Sequence, residues 1–146
     1  MAVAARGGLS HERGGQPVPA GQRVLIVEDE DTIGQVVTDV LLLEGYEVRR
    51  ARNGREALDI LHCWLPRLIL LDLMMPVMDG WAFRAAQRQL DGNAARVPVV
   101  VLSGAREVRA RAAELGAVEA LSKPFDLNQV VAAVGRWSRA GLPSTE

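Results

Sequence analysis

From Leu68 to Leu71 the chain is uninterrupted aliphatic side chain. At Asp72 it stops on a carboxylate, and Pro76 and Gly80 break the regular structure beyond it. A run this short, bounded by breakers, suits a strand buried on both faces of a parallel sheet. In an open α/β sheet the carboxyl end of a central strand borders the crevice where ligands bind. Asp72 therefore stands where chemistry is expected, and the remaining segments are read by what they bring beside it.

The same pattern recurs. Arg23-Val24-Leu25-Ile26-Val27 halts on Glu28-Asp29-Glu30-Asp31, and Pro98-Val99-Val100-Val101-Leu102 halts on Ser103-Gly104. Between these runs the apolar residues follow helical spacing: Ile33, Val36, Val37, Val40 and Leu41 before Gly45, then Ala57, Leu58, Leu61 and Trp64 before Pro66. Residues 46–50 alternate like an edge-ward strand, and Asn53-Gly54 turns the chain into its second helix. A third helix is expected over about residues 81–90 and a loop over 91–93. A fourth helix is expected over roughly 107–115, ended by Gly116, and a fifth strand over 117–121. Leu127, Val130, Val131, Val134 and Trp137 give the last helix its apolar stripe. Strand–helix alternation repeated five times predicts an α/β fold, a doubly wound five-stranded parallel sheet with helices on both faces. Strand order does not follow from one sequence.

Residues 1–21 are small, polar and rich in Gly and Pro. They cannot bury enough apolar surface to offset their ordering entropy, so a flexible N-terminal tail is expected there, with His11 as solvated filler. One ordered domain is expected over 22–140, with a frayed end over 141–146.

With 49% hydrophobic and 24% charged residues, the 146-residue chain is globular in composition and sized for a single core. A net charge of -1 gives no electrostatic case for binding nucleic acid or an anionic membrane. Cys63 is the single cysteine, which excludes an internal disulfide and fits a reducing, cytoplasmic setting. No apolar stretch approaches membrane-spanning length, and no apolar segment follows Arg6 to make a secretory signal.

In a parallel sheet all carboxyl ends share one rim, so Glu28, Asp29, Asp72, Ser103 and Lys123 are expected to converge there. Crowded carboxylates need a hard cation, and an all-oxygen donor set points to Mg2+ (or Mn2+) rather than zinc. A lysine and a hydroxyl beside them would orient an anion on Asp72. A phosphoryl group fits, because its transfer depends on in-line positioning and charge neutralisation, and a carboxylate is an established covalent acceptor.

These residues resemble the receiver domain of two-component response regulators. The matching pieces are Val24 to Glu30, Leu70 to Gly80 with Asp72, Pro76 and Asp79 inside it, Val100 to Gly104, and Ser122-Lys123-Pro124-Phe125. The resemblance covers about residues 22–140, almost the whole chain expected to be ordered, and four motifs in order are far more specific than any one. It implies the flavodoxin-like (βα)5 receiver fold and a phosphorylation-controlled signalling switch. It also implies that Asp72 is the phosphoacceptor, served by a phosphohistidine on a sensor histidine kinase or a histidine phosphotransfer protein. By resemblance, Asp29, Asp72 and the Met74 backbone carbonyl would hold Mg2+, with Glu28 acting through water. Ser103 and Lys123 would bind the phosphoryl oxygens, and the Lys123–Pro124 bond would be cis. No output domain is expected within this chain, which is either a stand-alone receiver or a piece of a longer protein, so the signal is expected to leave by protein–protein contact with an unidentified target; a homodimer is left open. Such a domain is not an enzyme on a separate substrate, beyond promoting its own phosphorylation and slow dephosphorylation.

The family usually carries an aromatic three residues before the lysine, and here that position is Ala120. Met74 and Ala105, beside the expected attack path, cannot orient a hydrolytic water, which predicts a long-lived aspartyl phosphate.

Competing readings are weaker. A haloacid-dehalogenase-like phosphatase or phosphotransferase would want a second aspartate where Met74 stands, and a cap domain. A phosphorylation-independent binding receiver would be marked by a lost acid or lysine, and none is lost. A dinucleotide fold would want glycines where Glu28-Asp29-Glu30-Asp31 would repel a pyrophosphate. Glu30 and Asp31 read as helix N-terminal charges, Trp64, Trp81 and Trp137 as packing, and Met74, Met75 and Met78 as loop packing. His62 and Cys63 lack partners at ligand spacing, and Arg106, Arg109 and Arg111 read as a solvated or docking face.

Overall fold

The computed structural model describes residues 22–104 and 108–140. The two termini, and with them the tail and frayed-end expectations, lie outside the described residues, as do Ala105, Arg106 and the side chains of Arg109 and Arg111. Five strands alternate with five helices: β1 (Arg23–Val27), α1 (Asp31–Leu43), β2 (Glu47–Ala51), α2 (Gly54–Leu61), β3 (Leu68–Asp72), α3 (Gly80–Arg88), β4 (Val99–Ser103), α4 (Val108–Leu115), β5 (Glu119–Ser122) and α5 (Leu127–Ala140). All strand pairs are parallel, in the order β2-β1-β3-β4-β5. The expected doubly wound sheet is therefore present, and β2, the most polar strand, lies at an edge.

Alternation along each strand splits the core in two. Leu25, Val27, Ile69, Leu71, Val99 and Val101 face Ala57, Leu61, Phe83, Ala112 and Leu115 from α2, α3 and α4. Val24, Ile26, Leu68, Leu70, Val100 and Leu102 face Val37, Leu41, Val130, Ala133 and Val134 from α1 and α5. β3 and β4 are buried at all five positions, as continuous apolar runs require.

Element ends differ from expectation for local reasons. β5 begins at Glu119 instead of residue 117 because Gly116 (φ 70°) reverses the end of α4 and the Ala117 N–H returns to the Ala112 carbonyl at 3.0 Å. The expected loop after α3 winds into a 3-10 turn, Gly92–Arg96. Its closure depends on Gln87, fully buried, whose amide donates to the carbonyls of Ala94 and Val97 at 3.0 and 3.1 Å.

At the rim, Asp79 caps α3 by accepting the Ala82 N–H at 2.9 Å. Gly80 brings that helix against the end of β3: a Cβ there would sit 2.6 Å from the Asp72 carbonyl oxygen. Glycine is required by this close approach. Between them, Val77 is held at φ 67°, an unfavourable conformation for a β-branched residue, while 83% exposed in the loop beside Asp72.

Candidate functional site

Strand register sets the site. Val27 pairs with Leu71, Asp72 with Leu102, and Ser103 with Ser122, so the residues at or just past the ends of β1, β3, β4 and β5 meet on one rim. The Lys123 N–H donates to the Ser103 carbonyl at 2.8 Å, which carries the ladder one residue beyond β5 and aims the lysine inward. The Lys123–Pro124 peptide is cis, as the resemblance implies.

Glu28 and Asp72 are buried, and Asp29 is exposed at the mouth. One carboxylate oxygen from each of the three lies within 4.8 Å of the others, a spacing that could hold a metal ion. The donor set is all oxygen and partly open to solvent, which fits a hard divalent cation that keeps part of its water shell. Lys123 Nζ lies 2.8 Å from Glu28 Oε1 and 3.6 Å from Asp72 Oδ1. The lysine thus joins the acids on the same rim, though its shorter contact is to Glu28. Ser103 is buried at the same edge.

Electrostatics follow from burial. The Asp72 carboxyl is pushed up to about 7, first by desolvation and then by the charge of Glu28. Lys123 and the Met74 N–H, 3.3 Å from Asp72 Oδ1, partly offset this. Burial alone would pull the Lys123 ammonium down, but the hydrogen bond to Glu28 and the charges of Asp72 and Glu28 hold it above the ordinary lysine value. The rim is short of positive charge when no cation is bound.

Other residues fall where the sequence suggests or close to it. Asp31 is in the first turn of α1 and pairs with Arg50 and Arg52. Glu30 precedes α1 without a side-chain cap, and its N–H donates to Glu28 Oε2 at 3.2 Å. Trp64 is buried, with the guanidinium groups of Arg23 and Arg49 at 5.4 and 5.0 Å from its ring centroid. Met75 and Met78 pack against the core, whereas Met74 is 72% exposed. His62 and Cys63 are exposed. Arg50 escapes the sequence reading: its side chain is largely buried and donates from Nε and an Nη to the Glu28 carbonyl at 3.1 and 2.7 Å. Alternation puts Arg49 and Arg50 on opposite faces of β2, but no local pattern shows that one of them reaches a backbone carbonyl.

A parallel five-stranded α/β domain with an acidic rim, a buried hydroxyl and a converging lysine is the architecture of a signal-receiving phosphoprotein. Residues 24–135 match the response regulator receiver domain family, and the chain belongs to it. It is 34% identical over 116 residues to sporulation initiation phosphotransferase F of Bacillus subtilis, covering 80% of this chain and 93% of that protein. It is 39% identical over 115 residues to the transcriptional regulatory protein PcoR of Escherichia coli, covering 77% of this chain but only 50% of PcoR. The chain therefore spans about half of one curated relative and nearly all of another. Among solved structures, the receiver domain of a Pseudomonas aeruginosa PAO1 sensor histidine kinase superposes with a TM-score of 0.74 at 29% identity, covering 82% of this chain and 99% of that one. That structure has a magnesium ion coordinated in its active site cleft. As a receiver domain, the chain is a phosphorylation-controlled switch of two-component signalling. Among the described residues no helix is long and apolar enough to cross a membrane.

Proposed function

We propose that Asp72 is the phosphoacceptor and that a histidine kinase or histidine phosphotransfer protein supplies the phosphoryl group. The supporting observation is the meeting of Glu28, Asp29, Asp72 and Lys123 at one rim, with the ammonium within 3.6 Å of the Asp72 carboxylate. Asp72 Oδ attacks phosphorus in line, the O–P bond forms, the P–N bond to the donor imidazole breaks, and its electron pair returns to the ring nitrogen. Lys123 binds a phosphoryl oxygen by leaving its resting contact, and Ser103 donates its hydroxyl to another. Asp29, Asp72 and the Met74 carbonyl would hold Mg2+ (or Mn2+), and Glu28 would act on it through water. When bound, the cation neutralises the charge that phosphoryl oxygens and carboxylates would otherwise set against each other.

The domain acts on its own aspartate, not on a separate substrate, in a cytoplasmic setting. Residues 22–140 form the receiver unit, and its output passes to a protein target. Incubation with acetyl phosphate and Mg2+ followed by intact-mass measurement tests the reading. Native protein is expected to gain one phosphoryl mass and Asp72→Asn none; equal labelling of both would overturn it.

A further inference from the structure

Every polar atom of Glu28 is engaged. Its N–H donates to the Ala51 carbonyl at 3.0 Å, Oε1 accepts from Lys123, Oε2 accepts from the Glu30 N–H, and its carbonyl accepts twice from Arg50. Arg50 lies on the α1 face of the edge strand β2, opposite Ile26 in register. From there its guanidinium crosses to the start of α1 and places an Nη 3.0 Å from Asp31 Oδ1, with its side chain only 16% exposed. One planar group therefore ties together β2, the end of β1 and the first turn of α1. The crossing exists because residue 34 has no side chain: a Cβ on Gly34 would collide with Arg50 Nε and Cζ.

The Glu28 carbonyl lies at the start of the turn, between Val27 and Asp31, that carries both Glu28 and Asp29 to the rim. A guanidinium fork fixes such a carbonyl in direction as well as distance, which a lysine cannot do. We propose that Arg50 is a positioning residue for the cation site: by clasping the Glu28 carbonyl and Asp31 across Gly34, it sets the β1–α1 turn so that the Glu28 and Asp29 carboxylates face Asp72. This rests on the reading of that rim as a Mg2+ site.

Two effects of Arg50 on a bound cation oppose each other. Its positive charge disfavours Mg2+, although Asp31 at 3.0 Å neutralises much of that field. Its alignment of the ligand turn favours Mg2+. Groups that orient metal ligands typically change metal affinity by about 10- to 100-fold, more than a charge already paired with Asp31 does. Alignment should therefore win.

Isothermal titration with Mg2+ alone separates the two by sign. Arg50→Met is expected to weaken binding about tenfold, while a purely electrostatic role would tighten it. Gly34→Ala keeps the charge but evicts the guanidinium and is expected to weaken binding as well. Arg50→Lys, with charge kept and fork lost, is expected to fall between native and Arg50→Met. In metal-free protein the amide resonances of Glu28, Asp29 and Glu30 are expected to shift in all three variants, a readout that needs no cation. If a core variant does not fold, Arg50→Lys decides the matter: native affinity with unmoved amides overturns the proposal. Native protein that takes up no Mg2+ overturns instead the reading of the rim, leaving the amide shifts to test the clasp.

Discussion

Lys123 is closer to Glu28 than to Asp72: Nζ stands 2.8 Å from Glu28 Oε1 and 3.6 Å from Asp72 Oδ1. The lysine proposed to serve the incoming phosphoryl group thus rests on the neighbouring acid, which is 1% exposed. Two carboxylates share one ammonium, which leaves the rim with excess negative charge that a cation would neutralise.

Lys123→Met should therefore harm the resting fold as well as the chemistry. Removing one partner of a buried ion pair strands the other, and with Lys123 partly solvated the cost should be about 2 kcal/mol in metal-free protein. Because Mg2+ fills the same negative well, it should stabilise the variant more than it stabilises native protein. Urea unfolding with chelator and with saturating Mg2+ measures both, and an equal Mg2+ increment in the two proteins would contradict the shared-well picture.

The Asp72 carboxyl, raised from 3.8 to about 7 by burial and by Glu28, gives metal-free stability a definite sign with pH. Between those values the folded state holds a proton that the unfolded chain has released, so stability is present at low pH and lost as pH rises through the folded value. From about pH 6 to about pH 8 the loss should be about 1 kcal/mol. Asp72→Asn should flatten the curve in chelator, and saturating Mg2+ should flatten it in native protein.

On the opposite face, Arg84 is buried without a carboxylate. It donates to the carbonyls of Leu115 and Gly116 at 2.9 and 3.2 Å and to Gln87 Oε1 at 2.7 Å. Burial, with Arg88 nearby, lowers its pKa to about 10, so it stays charged at neutral pH. Arg84→Met should cost about 2 kcal/mol, since it strips Gln87 Oε1 and the Gly116 carbonyl of a donor and leaves the Leu115 carbonyl to Arg88 alone. Arg88→Met, whose residue is exposed and gives Leu115 one bond at 2.6 Å, should cost under about 1 kcal/mol by urea unfolding.

What could be read from the sequence was whatever depends on periodicity and on strand ends. Three apolar runs, an alternating segment over 46–50 and a short strand over 117–121 mark the sheet, and the strand ends group Glu28, Asp29, Asp72, Ser103 and Lys123, because parallel strands share a rim. The strand order was not legible, since it depends on which helix covers which face. Nor was the polar skeleton: Arg50, Arg84 and Gln87 act on backbone carbonyls 22, 31 and 10 residues away, and no local pattern encodes a carbonyl's direction. A charged residue on an edge strand ordinarily faces water, so the position of Arg50 carries no local sign of its partners.

Met74 is 72% exposed two residues beyond Asp72, and its thioether is a poor hydrogen-bonding group. A water attacking an aspartyl phosphate from that side would find nothing there to orient it. Met74→Asn, which supplies an amide at the same place, should shorten the phosphoryl lifetime several-fold. Intact-mass decay after removal of acetyl phosphate measures this, and an unchanged lifetime would remove Met74 from the account.

Ala120 pairs with Val101 in the sheet and lines a concavity shared with Ala112, Ala113 and Ala117. It has no rotamer with which to follow Ser103. The next residue back, Glu119, is fixed by hydrogen bonds from Arg136 at 2.7 and 2.8 Å and from the Trp137 indole at 2.8 Å. Although partial burial opposes it, these partners hold its carboxyl below the usual range. β5 is thus anchored to α5 on one side and lacks a moving aromatic on the other. Addition of Mg2+ and beryllofluoride, a phosphoryl mimic, should therefore move amide resonances around Asp72, Ser103 and the segment before residue 107 while leaving 119–121 nearly still. Shifts centred on β5 would show that the strand carries the signal by another route. Ala120→Tyr should enlarge the β5 response if the absent aromatic is what limits it.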